Sequence, residues 1–192
     1  MDSEVLKNTL KTYNILTDDD IDAFIRLAIP KTLQKSDYYI QEGEICNSVC
    51  FVLSGLLRSY YMTEKGDDMT YCITFPHNFM SAYSSFLTGQ ATQENIQAIQ
   101  TTELLVIPKD HMEKLSQTSS NWIQFQKVIA EQQYIELEKR IFLLQGSNAT
   151  KRYAELVKNH PSYLQNIPLQ YLASYLGVTQ RHLSRIRKEL AF

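Results

Sequence analysis

Ten residues near the end of the chain, Thr179 to Lys188 (TQRHLSRIRK), hold its densest set of groups that can read another molecule. Placed on a helix, Leu183, Ile186 and Leu190 face inward and Gln180, Arg181, His182, Ser184, Arg185, Arg187 and Lys188 form the opposite face. Arginine can bond a guanine edge with two parallel hydrogen bonds, glutamine can do the same for adenine, and serine or threonine serves base or phosphate. Thr179 is a good N-cap for that helix. Before it, Leu169, Leu172, Ala173 and Leu176 recur at helical spacing, with Pro168 suited to a first turn. Gly177 then supplies a residue that can turn left-handed, and Val178 an apolar plug. This spacing fits a helix–turn–helix whose second helix enters a DNA major groove. It also fits a basic amphipathic hairpin on a protein surface.

Charge distribution bears on that choice. The 192-residue chain has a formal net charge of −2. From Asn148 onward, however, seven basic residues (Lys151, Arg152, Lys158, Arg181, Arg185, Arg187 and Lys188) meet two acids, Glu155 and Glu189. The segment therefore carries +5 and the remainder −7. A basic module on an acidic body is the electrostatic footprint of a nucleic-acid binder.

The elements that must position this face read as two further parts. Residues 4–29 are expected to be helical, with Thr17 capping Asp18-Asp19-Asp20 and Pro30 ending the segment. From Lys31 to about Lys109 short β-rich runs alternate with turns: YYI, VCFVL, LLRSYYM, MTYCITF and ELLVI, with Gly43, Gly55 and Gly66 at turns. LLRSYYM–TEKGDD–MTYCITF reads as a long hairpin, and the set as an antiparallel barrel or jelly roll. A polar insertion between Phe79 and Asn95 lacks clean alternation and is expected to hold a helical turn.

After His111 the pattern is helical to about Gln145. One stripe, Ile123, Lys127, Ala130, Tyr134, Leu137, Ile141 and Leu144, steps by three and four as a heptad seam does. A second (Val128, Ile135, Phe142) needs its own cover, expected from the barrel or the tail. Two apolar faces favour a dimer seam over an ordinary core helix. Gly146-Ser147-Asn148 reads as a hinge into the basic module, whose first helix is expected over 150–158. The expected fold class is thus α+β: an antiparallel β-barrel or jelly-roll sensor domain (1–120), a long dimerisation helix (121–146) and a C-terminal helix–turn–helix domain (147–192).

The chain resembles the Crp–Fnr family of bacterial transcription regulators over essentially its full length. The residues that carry the resemblance are QEGE at 41–44, FVLSGLLR at 51–58, PHNFMSAYSSF at 76–86 and LASYLGVTQRHLSRIRKEL at 172–190. It implies a homodimer on a roughly palindromic operator, with Thr179, Gln180, Arg181, His182 and Arg185 facing bases. It also implies double-stranded DNA as partner, and RNA polymerase as a further candidate. Many members continue into a β-wing, which is expected to be absent or truncated here.

Two features depart from the family. Members that bind cyclic nucleotides open the insertion with Gly-Glu and close it with Arg, to hold ribose and phosphate. The matching positions here are Ser81-Ala82 and Thr92 to Glu94. Neither anchor is present, and a phosphate would meet Glu94. Arg58, on a strand, is the single arginine between Lys31 and Ser120. cAMP dependence is therefore not expected. A small neutral pocket could draw on Arg58, Ser81, Ala82, Tyr83, Ser84, Ser85 and Gln93, or those residues could be a self-filled relic. Secondly, no cysteine precedes Cys46 and no CxxCH occurs, so Cys46, Cys50 and Cys72 read as core residues rather than redox ligands. No cofactor or metal is expected.

Other function classes fit less well. A cupin-type metal enzyme needs several histidines inside the barrel, and of the four only His77 falls in the strand region. No G-x-S-x-G, HExxH or P-loop spacing occurs. A non-catalytic sensor whose basic tail binds a protein is the remaining alternative. The polar start and the lack of any run of ~18–20 apolar residues point to a cytoplasmic protein without a membrane span.

Overall fold

The computed structural model describes residues 2–161 and 164–190. Ala191 and Phe192, the end of the expected domain, lie outside the described residues. Two helices come first, α1 (Asp2–Lys11) and α2 (Asp18–Leu27). The Thr17 hydroxyl accepts from the Asp20 N–H while the Asp20 carboxylate accepts from the Thr17 N–H, a reciprocal capping box. The expectation of one helical segment to residue 29 needs correction. Helix α2 stops at Leu27, and Ile29 and Pro30 belong to strand β1 (Ile29–Leu33). Pro30 is tolerated there because β1 lies at a sheet edge, where a missing N–H costs no ladder bond.

The strands β2 (Tyr38–Ile40), β3 (Ser48–Ser54), β4 (Leu57–Met62), β5 (Asp68–Thr74), β6 (Phe79–Met80), β7 (Asn95–Ala98) and β8 (Thr102–Pro108) complete two antiparallel sheets. Their orders are β1-β8-β3-β6 and β2-β7-β4-β5. Leu33, Val52 and Leu104 of the first sheet and Ile40, Leu57 and Ile96 of the second close one core between them. Gly55, at φ +87°, passes so near Thr102 that an added Cβ would lie 2.4 Å from its hydroxyl. Only glycine fits that crossing. The short helix α3 (Tyr83–Thr88) supplies the helical turn expected in the insertion. Strand β7 (NIQA) alternates polar and apolar residues yet is buried on both faces, and its Asn95 and Gln97 are satisfied by distant partners. Asn95 accepts from the Glu42 N–H, and Gln97 accepts from Arg58.

Helix α4 (Lys109–Thr118) and the 27-residue α5 (Ser120–Gly146) are separate, not one run from His111. Ser119 breaks the path at φ −146° and its hydroxyl caps α5 through the Asn121 N–H. Trp122 and Phe125 at the start of α5 are buried with Leu6, Leu10, Ile21, Phe24 and Leu115. The second stripe is covered by neither barrel nor tail: Ile135 is 46% and Phe142 62% exposed. The sheet face and α2 pack on the start of α5, and among the described residues none buries Ile135 or Phe142.

The chain ends in α6 (Ala149–Asn159), a 3₁₀ turn (Leu164–Asn166), α7 (Leu169–Tyr175) and α8 (Gln180–Glu189). Leu172, Leu176 and Leu183 bury against Leu56, Ile73, Phe75 and Ile99 of the barrel, so one apolar cluster spans both units.

Candidate nucleic-acid interface

Helix α8 starts where its cap sequence places it. The Thr179 hydroxyl accepts from the His182 N–H at 3.2 Å. Gly177, at φ +65°, makes the reversal that ends α7, its N–H bonded to the Ser174 carbonyl at 3.0 Å. Leu183 and Ile186 are buried at 0% and 1%, whereas Leu190, expected to face inward, is 45% exposed. Leu190 falls one residue beyond the helix, past the reach of the cluster it would have joined.

The outward face holds Gln180, Arg181, His182, Arg185 and Lys188, all exposed, with Ser184 half-buried. Thr179, Arg181, His182, Arg185 and Glu189 line one shallow groove along the helix. Arg187 is different. It is half-buried with its guanidinium 5.9 Å from the Tyr153 ring centroid, and its Nε has no hydrogen-bond partner among the described residues. Arg152, part of the basic excess, is buried and donates to the Leu176 and Ser147 carbonyls. The charge available to a polyanion is therefore carried by Lys151, Lys158, Arg181, Arg185 and Lys188.

Above this domain, a cleft of ≈1020 Å³ opens between the barrel, α5 and α6. Ser81, Tyr83 and Ser84 line it, together with Tyr71, Glu94 and Arg140. Tyr71 donates to the Glu94 carboxylate in a short hydrogen bond. Burial raises Glu94 above the usual carboxylate range, with the Tyr71 hydrogen bond opposing it. Burial likewise raises Tyr71, and Glu94 adds to the shift. Burial also raises Cys72, and pushes Cys50 up to about 12, so these thiols stay protonated at neutral pH. Among the described residues no group of His, Cys, Asp or Glu is placed to hold a metal. No described helix is long and apolar enough to cross a membrane.

Residues 30–119 match the cyclic nucleotide-binding domain. Electron transport regulator A of Shewanella oneidensis is 25% identical over 187 residues, covering 91% of this chain and 73% of its own length. The anaerobic regulatory protein of Bacillus subtilis is 23% identical over 189 residues, covering 92% of this chain and 79% of its own. In three dimensions the chain is similar to FixK2 from Bradyrhizobium japonicum, with a TM-score of 0.76 at 19% identity over 85% of this chain and 84% of that one. These likenesses support a transcription regulator of Crp–Fnr type. The chain places the barrel, the long helix and the terminal short helices in that order, as an α+β fold.

The other residues expected at a ligand pocket lie elsewhere. Ala82 is buried at 0% in the barrel core. The Ser85 hydroxyl is used by the Cys46 N–H and the Gln90 carbonyl, and Gln93 is exposed outside the cleft lining. Arg58 is buried on the far side of its strand. It pairs with Asp68 at 2.8 Å, donates to Gln97 and lies 3.6 Å from the Tyr171 ring centroid of α7. A guanidinium on a barrel strand is stable only with such partners, so its placement in a ligand pocket is corrected. Arg140 was missed by the sequence reading. Its one signal is that it continues the face begun by Trp122, Phe125 and Ile129, a charge where an apolar residue would fit.

Proposed function

We propose that this chain acts as a homodimer that reads a two-fold DNA operator through α8 and controls transcription at promoters independently of cAMP. The observation that carries the reading is the exposed face Gln180, Arg181, His182 and Arg185 on a capped helix held by a two-helix core. That geometry leaves the N-terminal side chains of α8 free for base edges. The dimer is supported by the uncovered seam of α5, where Ile123, Tyr134, Leu137, Ile141 and Leu144 are 40–67% exposed and Lys127 and Ala130 continue the stripe. Its partners on this reading are double-stranded DNA, a second copy of the chain and RNA polymerase, in the cytoplasm.

Independence from cAMP rests on charge. The cleft presents the Glu94 carboxylate where a phosphate would need a cation, and Arg58 is already paired with Asp68. An effector in this cleft would meet the Glu94 carboxylate beside an Arg140 already bonded to the Tyr71 and Tyr175 carbonyls. The relatives' names speak of electron-transport and anaerobic regulation, and a regulatory role of that broad kind suits this chain.

The experiment is selection of bound sequences from a random duplex pool without added ligand, repeated with Arg185→Ala. A palindromic motif is expected, and the variant should lose preference at one position per half-site by ~1–3 kcal/mol. Failure of the native chain to enrich any duplex would favour a protein-binding tail and overturn the reading.

A further inference from the structure

Strand β5 is an edge of its sheet, and an edge strand leaves a row of backbone donors and acceptors unpaired. Here side chains from outside the barrel complete that row. The Ser174 hydroxyl of α7 accepts from the Thr70 N–H at 2.8 Å and donates to the Asp68 carbonyl at 3.0 Å. One hydroxyl thus stands in for a neighbouring strand. The register between β4 and β5 slips beside it: Ser59 faces Cys72 and Tyr60 faces Thr70, so Tyr71 is the extra residue of a bulge. The Tyr71 side chain points to Glu94, and its carbonyl accepts from Arg140 Nε of α5 at 2.9 Å.

Arg140 does not stop at the strand. Through Nη2 it donates to the Tyr175 carbonyl at the end of α7, and its guanidinium lies 3.7 Å from the Tyr175 ring centroid. Arg152 of α6 takes the next carbonyl, Leu176, at 2.9 Å, and also the Ser147 carbonyl in the turn after α5. The last carbonyls of α7, which have no partner within their own helix, are therefore shared by two arginines from two other helices. An apolar joint alone could slide. Hydrogen bonds to fixed backbone groups on both sides set an angle. Helix α8 follows α7 through Gly177 and their common core, so the angle of α7 on β5 becomes the angle of the reading face.

We infer that Ser174, Arg140 and Arg152 are positioning residues that fix the recognition helix against the barrel and so set the half-site spacing that a pair of chains accepts. The inference rests on the DNA-binding reading above. Adding one base pair between half-sites displaces them by about 3.4 Å and turns them by roughly 35°, which a rigid pair of α8 helices cannot follow.

The test uses the full chain on the selected operator, with spacers altered by one or two base pairs, and on a duplex carrying a single half-site. The native chain should bind the altered spacers at least about ten-fold more weakly. Ser174→Ala and Arg140→Met should shrink that difference to within about three-fold and leave single half-site affinity unchanged, because the reading face is intact. Ser174→Thr keeps the hydroxyl and should restore the native profile. Amide exchange should quicken at Thr70 in Ser174→Ala while β8 stays protected, which shows the variant folded. Variants with the native spacer profile would overturn the inference, as would equal losses on the full and single sites. A native chain indifferent to spacer length would also overturn it. Failure of the native chain to bind any duplex would show instead in the native arm, and remove the DNA-binding reading with it.

Discussion

The two halves of α5 contain similar apolar side chains in opposite surroundings. Trp122 and Phe125 are 1% and 2% exposed, whereas Tyr134, Leu137 and Phe142 are 67%, 52% and 62% exposed. Trp122 stacks on Phe24 at 5.1 Å and meets Phe125 edge-on at 5.6 Å. Among the described residues the later ones have no comparable aromatic partner. Apolar content in a helix therefore does two different jobs here. The first half holds the fold together, and the second offers surface that we assign to a second copy.

The largest effect should come from breaking the anchored half. Trp122→Ala should cost about 3–5 kcal/mol in denaturant unfolding, since an aromatic is lost from a closed core that cannot collapse around the cavity. The free half should respond in the opposite sense. Leu137→Glu combined with Ile141→Glu should leave single-chain stability within about 0.5 kcal/mol, as exposed sites do. Dimerisation should weaken at least about 100-fold in sedimentation, because two charges would enter the seam. A pair that instead unfolds the chain would erase the contrast.

A pH series sharpens the comparison at the anchored end. Asp20, 8% exposed, accepts from the Asn121 side chain at 2.8 Å and so ties α2 to the first turn of α5. Burial alone would raise its carboxyl, but hydrogen bonds from Asn121 and Thr17 outweigh that and hold it below the usual carboxylate range. The folded state therefore prefers the ionised form. Its contribution is complete above the ordinary carboxylate value and is lost as pH falls through that value to the lower native one. Asp20→Asn should flatten the acid limb of the stability profile and leave dimer affinity alone. The smallest effect belongs to the exposed Glu136–Lys139 pair, 2.7 Å apart on the free half. Glu136→Gln should leave the unfolding midpoint unchanged, since solvent screens such pairs.

Legibility in the sequence followed locality. Thr17 and Thr179 cap the helices they precede, and each hydroxyl acts within three residues of itself. The β4–β5 hairpin and the turn at Gly177 were legible for the same reason. The reading face of α8 was visible as a set, yet Arg187 and Arg152 looked identical to Arg185 until their neighbours were known. Arginine carries both an apolar stem and five donors, so the same letter serves a solvated face or a buried joint.

What the sequence determined by itself was the order of elements, the basic end module and the amphipathic split of α8. These are set by periodicity and charge, which act over one or two turns. Only the tertiary structure decided which half of α5 is covered and that Pro30 joins a sheet. It also decided that Arg58 pairs with Asp68 and packs on Tyr171 of α7, and that Ser174 and Arg140 bond the edge of β5. Each depends on groups 69 to 106 residues apart for the β5 contacts, brought together by packing that no local pattern encodes.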